Sequence, residues 1–167
     1  LPMNFPNRFS RLIVMNTALP IGESLGMGFQ SWRDYVASKP DLDCGALIKR
    51  ACPHVSEAEA ASYEAPFPDQ SYKAGVRRFP ELVMIKREMA GVQTARRAAK
   101  FWQNEWSGQS FMAIGAKDPV LGGEVMNDLR KTIRNCPKPM ILEEAGHFVQ
   151  EWGDQVAKAA LKHFAGD

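Results

Sequence analysis

Three short apolar runs along the chain predict buried β-strands. They cover Leu12–Met15, Phe111–Gly115 and Met140 to about Glu143, and they are apolar at consecutive rather than alternate positions. Such runs are typical of strands that are covered on both faces, as in a parallel sheet. Polar residues, glycine or proline bound each run, so the predicted strands are short.

Between and after these strands, the spacing of apolar residues predicts mainly helices, separated by loops. Residues 20 to 28 are rich in glycine and proline and predict a loop. Ser56 and Glu59 fit a capping box, in which the two side chains satisfy free N–H groups at a helix start. The other predicted helices cover about 29–38, 70–78, 92–106 and 123–134, followed by a closing helix that carries Val149, Trp152, Val156, Ala160 and Phe164 on one face.

Proline residues set two of the expected boundaries. The helix at 70–78 should end before Phe79-Pro80, because proline lacks a backbone donor and its ring clashes with the preceding turn. Residues 65–69 contain two prolines and should form a loop. The predicted order is therefore strand, helical insertion, strand, helix, strand, helix. Three strands covered on both faces also need neighbours at their edges, so this α/β sheet looks incomplete.

Composition excludes several classes of protein. A net charge of +2 over 167 residues demands no anionic partner, and the chain has no nucleic-acid-binding motif, so we expect no nucleic-acid binding. No secretory leader or membrane-length apolar run appears, so no membrane association is expected. Cys44, Cys52 and Cys136 form no CxxC pair and leave one cysteine over, which favours reduced thiols and a cytoplasmic location.

Asp118 and His147 are the first candidates for chemistry. Each follows a predicted strand, and the carboxyl ends of adjacent parallel strands meet at one edge of a sheet. A carboxylate that binds one imidazole nitrogen fixes the tautomer and leaves the other nitrogen free to act as a base. On position alone, Asp118 is also a reasonable turn residue before proline, and His147 a structural histidine.

A nucleophile for such a pair is harder to find. Gly22-Glu23-Ser24-Leu25-Gly26 matches the G-x-S-x-G elbow of serine hydrolases. However, an elbow should follow directly on a strand, and Ala18-Leu19-Pro20-Ile21 intervenes. Ser24 is therefore a weak candidate.

Long motifs make the chain similar to the haloalkane dehalogenases of the α/β-hydrolase fold, in particular to the subgroup typified by the enzyme that dechlorinates dichloroethane. The resemblance extends over nearly the whole chain. The segments that carry it are Phe29–Trp32, Ser56–Ala60, Ala65–Asp69, Ala74–Pro80, Phe101–Asn104, Phe111–Gly115 with Lys117-Asp118, and Ala145–Glu151.

This resemblance implies an α/β-hydrolase main domain at 1–19 and 107–167, with a helical cap inserted at 20–106. Asp118 would be the acid and His147 the base of a catalytic triad, and the indole N–H of Trp32 would hold the departing halide. The residues implied to line the substrate pocket are Phe29, Phe79, Pro80, Val83, Val120 and Leu121.

The chain also departs from the family pattern. The nucleophilic aspartate, a second halide-binding tryptophan and the oxyanion hole would all precede Leu1, so we expect a carboxyl-terminal part that is inactive alone. The resemblance implies a haloalkane substrate, water and halide as the only partners, a monomeric complete enzyme, and no metal or organic cofactor.

Three alternatives stay open at this point. An epoxide hydrolase would use cap tyrosines such as Tyr63 or Tyr72 to activate the epoxide, and a serine esterase would use Ser24. A non-catalytic helical binding module is the third. In that case the chain alone should fold cooperatively and bind a protein, whereas we expect an exposed sheet edge and aggregation.

Overall fold

The computed structural model of the protein describes residues 1–166, and a three-stranded parallel sheet lies at its centre. Strands β1 (Arg11–Met15), β2 (Gln109–Gly115) and β3 (Met140–Leu142) lie in the order β1-β2-β3. The register pairs Ile13 with Phe111 and Ala113 with Met140. All three strands predicted from apolar runs are confirmed, and their parallel pairing brings their carboxyl ends to one edge.

Seven α-helices surround the sheet within residues 1–166. Those between β1 and β2 form a helical insertion and are α1 (Gly26–Ala37), α2 (Cys44–Ala51), α3 (Glu57–Glu64), α4 (Ala74–Leu82) and α5 (Val92–Asn104). The later two are α6 (Gly123–Thr132) and α7 (Gly153–Ala165). Short 3-10 helices cover Pro6–Arg8, Gln70–Lys73 and Val149–Trp152.

Helices α2 and α3 pack closely as a hairpin. The predicted capping box is confirmed at the start of α3, where Ser56 and Glu59 bond each other's backbone N–H groups. Helix α2 was not predicted. Asp43 caps it by accepting a hydrogen bond from the Ala46 N–H at 2.7 Å. A Cβ on Gly45 would lie 2.6 Å from the Ala60 carbonyl oxygen, so glycine permits the close approach of the two helices.

A buried lysine ties this hairpin to the rest of the insertion. The Lys73 ammonium lies 2.7 Å from Asp41 and 2.5 Å from Glu64, and only 3% of the residue is exposed. Glu64 also accepts a hydrogen bond from the Cys44 N–H at 2.8 Å. The two carboxylates raise the pKa of Lys73, so the lysine is held as a cation between them.

One predicted helix boundary is wrong. The helix expected at 70–78 begins as the 3-10 turn Gln70–Lys73 and continues as α4 to Leu82, with Pro80 inside it. Pro80 lies in the last turn, two residues before the end, so only one late helical hydrogen bond is lost. The closing helix likewise begins with the 3-10 turn Val149–Trp152 before α7.

Two apolar clusters cover the two faces of the sheet. One joins β2 and β3 to α7 through Phe111, Ala113, Leu142, Val156 and Phe164. The other joins β1 and β2 to α5 and α6 through Val14, Met112, Ile114, Phe101 and Met126. The side of α5 that carries Phe101 therefore packs on the sheet, although the expected cap range of 20–106 includes it.

The outer strands leave apolar side chains in contact with solvent. Ile13 on β1 is 46% exposed and Ile141 on β3 is 47% exposed. Both lie on outer strands, where the lack of neighbouring strands led us to expect an exposed sheet edge. None of the helices within residues 1–166 combines the length and the apolar character needed to cross a membrane.

Gly115 provides a test of how β2 meets the turn that follows β3. A Cβ at this position would lie 2.1 Å from the Gly146 carbonyl oxygen and 2.8 Å from that of Ala145. Gly115→Ala should therefore push this turn away and lower the free energy of unfolding by about 1–3 kcal/mol, measured by denaturant unfolding of the full-length protein.

The matched control is Gly75→Ala, in the first turns of α4, where a Cβ would meet nothing within 4 Å. Alanine there should leave the protein unchanged or slightly more stable, because it restricts the unfolded chain. Equal stability of the two variants would show that β2 does not approach the turn this closely.

Candidate active site

The backbone after β2 brings Asp118 to the carboxyl edge of the sheet. The Ala116 N–H donates to the Leu142 carbonyl at 3.0 Å, and the Lys117 N–H donates to the Ala145 carbonyl at 2.9 Å. These bonds continue the pairing of β2 with the chain after β3. As a result, Asp118 lies beside the segment that carries His147.

Four donors surround the Asp118 carboxylate. Its Oδ2 accepts from His147 Nδ1 at 2.8 Å and from Asn16 Nδ2 at 3.0 Å. Its Oδ1 accepts from the backbone N–H groups of Val120 at 2.9 Å and Leu121 at 3.0 Å. The side chain is only 2% exposed, so each oxygen is satisfied by protein donors rather than by bulk water.

These donors keep Asp118 ionised. Burial alone would raise the pKa of the carboxyl group, because it disfavours the charged form. The hydrogen bonds from His147, Leu121, Val120 and Asn16 outweigh burial and lower the pKa of Asp118 to about 2. The group is therefore a fixed negative charge at neutral pH.

Asn16 is a site residue that the sequence analysis missed. It directly follows β1, is 4% exposed, and its Oδ1 accepts from the Gly115 N–H at 2.8 Å. Its Nδ2 lies within hydrogen-bond distance of the Gly115 carbonyl at 3.1 Å and the Gly146 carbonyl at 3.3 Å, in addition to Asp118. One amide thus joins the ends of all three strands. The available signal is a polar residue immediately after an apolar strand, a pattern that also simply marks the end of a strand.

His147 follows Gly146 at the end of the turn after β3, and its side chain is 47% exposed. Its Nδ1 points to Asp118, while its Nε2 makes no hydrogen bond to any of residues 1–166. Because the partner is a carboxylate, Nδ1 carries the proton and Nε2 is the acceptor. An imidazole held in this way can remove a proton from water at Nε2.

The predicted halide-binding residue, Trp32, lies on α1 and is half-buried. Its ring stacks on Tyr35, with centroids 5.9 Å apart, and its indole N–H makes no hydrogen bond to any described residue. Phe29 is buried one turn earlier. Helix α1 approaches the Asp118 loop at Gly28, where a Cβ would lie 3.3 Å from Val120 Cγ2.

Three other predicted pocket residues lie at the end of α4. Phe79 is 75% exposed, Pro80 is buried and Val83 is half-buried at the end of α4. An open cavity of about 590 Å³ lies beside the Asp118 loop, and Val120 is its only predicted pocket residue. The structure therefore joins Asp118, His147, Val120 and Leu121, whereas Phe79, Pro80 and Val83 do not line this cavity.

The alternative catalytic residues have different surroundings. Ser24 is exposed in a series of bends, with no strand directly before it, and its Oγ accepts from the Gly26 N–H at 3.1 Å. The Tyr63 hydroxyl donates to the Glu151 carboxylate, and Tyr72 is 60% exposed. Ser24 thus lacks the local structure of a nucleophile elbow, and the Tyr63 hydroxyl already has an acceptor.

No group of three or more His, Cys, Asp or Glu side chains within residues 1–166 is arranged to hold a metal ion.

No model of a protein family matches the chain.

Similar proteins nevertheless carry one consistent name. A haloalkane dehalogenase from Psychrobacter cryohalolentis is 34% identical over 162 residues, which are 94% of this chain and 53% of the relative. Haloalkane dehalogenase 1 from Mycobacterium bovis is 36% identical over 160 residues, 93% of this chain and 52% of the relative. The chain therefore spans about half the length of these relatives.

Solved structures agree with the sequence comparison. Haloalkane dehalogenase DpaA from Paraglaciecola agarilytica, described as tetrameric, is 44% identical and superimposes with a TM-score of 0.92. The match covers 96% of this chain and 54% of that enzyme. By sequence and by its incomplete α/β-hydrolase fold, this chain matches about half of a haloalkane dehalogenase.

Proposed function

We propose that the full-length protein containing this chain hydrolyses a carbon–halogen bond and releases an alcohol, a halide and a proton. The observation that supports this most strongly is the hydrogen bond of 2.8 Å between His147 Nδ1 and Asp118 at the carboxyl edge of the sheet. The relatives that cover almost the whole chain carry the name haloalkane dehalogenase.

The proposed reaction has two steps. A carboxylate that lies outside these 167 residues attacks the halogen-bearing carbon, the halide leaves with the bonding electron pair, and an alkyl ester forms on the protein. His147 Nε2 then removes a proton from water, and the resulting hydroxide attacks the ester carbonyl carbon. The imidazolium returns this proton to the departing alcohol oxygen, and the carboxylic acid left on the protein loses its proton to solvent, which restores the carboxylate.

In this proposal Asp118 acts through His147. As the imidazole takes up a proton, the charge that develops faces a carboxylate at hydrogen-bond distance, which stabilises the imidazolium. Since the pKa of Asp118 is lowered to about 2, this carboxylate is ionised at neutral pH. Asn16 and the loop N–H groups keep the carboxylate in place.

We propose that Trp32 donates its indole N–H to the leaving halide. An indole offers one donor on an apolar body, which suits a weakly basic anion in a dry pocket. The substrate pocket would use Phe29, Phe79, Pro80, Val83, Val120 and Leu121, with residues 20–106 as the cap. Phe79, which is 75% exposed, would then be covered by parts of the full-length protein outside this chain.

A halogenated alkane, water and a halide are the proposed partners. We propose a cytoplasmic location, which the three free cysteines favour. Our proposal for the full-length protein is a monomer. The solved relative DpaA is described as tetrameric. Light scattering of the full-length protein measures its oligomeric state and distinguishes a monomer from a tetramer.

Replacing the proposed base should separate the two steps. In the full-length protein, His147→Gln should still form the alkyl ester but hydrolyse it about 10²–10⁴-fold more slowly, because water loses its proton acceptor. Intact-protein mass spectrometry should then find an added alkyl group. His163→Gln, on the exposed side of α7, is the control and should not accumulate the adduct. Absence of an adduct in His147→Gln would contradict the assignment.

Replacing the proposed halide donor should weaken anion binding. Trp32→Phe keeps most of the ring volume but removes the N–H, which should cost about 1.5–3 kcal/mol, or roughly 10- to 100-fold in bromide affinity. Isothermal titration with bromide measures the change, and Trp102→Phe on α5 is the control for loss of an indole. Unchanged bromide affinity in Trp32→Phe would rule out this role.

The lowered pKa of Asp118 predicts how stability depends on pH. A carboxyl group that has a lower pKa when folded stabilises the protein above its unfolded value, near 4, and loses that contribution as pH falls towards 2. The contribution should be on the order of 1–2 kcal/mol.

Asp118→Asn isolates this contribution because it removes the charged carboxylate. The amide N–H₂ group would then replace one carboxylate oxygen and face donors that now bind that oxygen. The difference in free energy of unfolding between the wild type and this variant should be constant above pH 4 and shrink between about pH 4 and 2. A difference that does not change with pH would mean that Asp118 is not held ionised by its four donors.

A further inference from the structure

The segment that follows His147 contacts the helical insertion as well as the sheet. Val149 is 1% exposed and belongs to the apolar cluster under the sheet. Phe148 and Trp152, on either side of it, pack on the cluster formed by α2 and α3, and Trp152 also packs against the cluster under the sheet. The 3-10 turn Val149–Trp152 therefore lies between the two parts of the molecule, directly after the proposed base.

The α2–α3 hairpin approaches this segment at both ends. Before His147, a Cβ on Gly146 would lie 3.7 Å from the Ala51 carbonyl oxygen at the end of α2. After His147, the ring centroids of His54 and Trp152 lie 4.3 Å apart. The Nε2 atom of His54 is 3.3 Å from the Glu151 carbonyl oxygen. The hairpin thus limits where the backbone around His147 can move.

A second polar contact of this interface is made by Tyr63. Its hydroxyl, on α3, donates to the Glu151 carboxylate. The bond to this carboxylate, with burial, raises the pKa of Tyr63, so the hydroxyl keeps its proton and acts as a donor. Hydrogen bonds to charged acceptors are among the stronger ones in proteins.

We infer that Tyr63 is a positioning residue for His147. By holding Glu151, it fixes the 3-10 turn Val149–Trp152 against α3, and this turn sets where His147 directs its free Nε2. The inference rests on the proposed function, in which His147 acts in ester hydrolysis and takes no part in the first displacement. Tyr63 therefore does not contact the substrate; it influences one step of the reaction through the segment that carries the base.

The central test compares the two steps in the full-length protein. Tyr63→Phe removes one oxygen atom and should slow ester hydrolysis roughly tenfold, since small displacements of a catalytic group have effects of this size. Rapid-quench measurement of halide should find the first displacement changed by less than about twofold. Equal slowing of both steps, or no slowing of hydrolysis, would overturn the inference, because a general structural role makes no such distinction.

Tyr72→Phe is the matched control. This tyrosine is 60% exposed in the Gln70–Lys73 turn, and its hydroxyl makes no hydrogen bond to residues 1–166. Neither step should change in this variant. If it slows hydrolysis as much as Tyr63→Phe does, the effect is not specific to the contact with Glu151 and the inference fails.

A second variant tests the partner and covers the case in which Tyr63→Phe folds poorly. Glu151→Gln keeps the size of the side chain and one carbonyl acceptor but removes the charge, so it should slow hydrolysis less than Tyr63→Phe does. Combining both substitutions should add little to Tyr63→Phe alone, since the two groups share one interaction. Independent, multiplicative effects would contradict the proposed coupling.

Amide hydrogen exchange separates this inference from the proposed function. The N–H groups of Val149 and Glu151 bond the carbonyls of His147 and Phe148 at 3.0 and 3.1 Å. Exchange of residues 147–152 should become faster in Tyr63→Phe and stay unchanged in Tyr72→Phe. Absence of halide release by the wild type would refute the proposed function alone, whereas unchanged exchange in Tyr63→Phe would refute the positioning role alone.

Discussion

The buried carboxylate of Asp118 is the point at which the three strands, the loop after β2 and His147 are joined. A carboxylate removed from water is costly unless donors replace the water. Here the donors come from Asn16 after β1, from Val120 and Leu121 after β2, and from His147 after β3. The charge can be buried only if all three strand ends are correctly placed, so the requirement for paired donors also fixes the relative positions of the site residues.

The same requirement explains why the turns at the sheet edge are tight. Gly115 must lack a side chain because the carbonyls of Ala145 and Gly146 pass directly over it. That close approach lets Asn16 bond Gly115 and approach Gly146 with one amide group. On the far side, the α2–α3 hairpin contacts the segment after His147 through Tyr63 and His54. His147 is therefore held from the sheet by Asp118 and from the insertion by the turn that follows it.

Local sequence patterns predicted the sheet well because buried parallel strands are apolar at consecutive positions. They also predicted that Asp118 and His147 would meet, since each comes shortly after a strand and the ends of the two strands lie together. Asn16 was missed, because an asparagine after a strand has the same local pattern whether it ends the strand or joins three of them. The continuation of α4 past Pro80 was missed for a related reason: a proline in the last turn disrupts much less than one in the middle. The pocket residues on α4 were implied only by the resemblance, and their role stays a prediction.

The central claim is that Asp118 and His147 form the acid–base pair of an enzyme that hydrolyses carbon–halogen bonds. The most direct test incubates the full-length protein with a primary bromoalkane and measures bromide, alcohol and protons together. The account predicts catalytic release of all three in equal amounts. Absence of bromide release, together with turnover of a carboxylic ester or an epoxide by the same preparation, would contradict it.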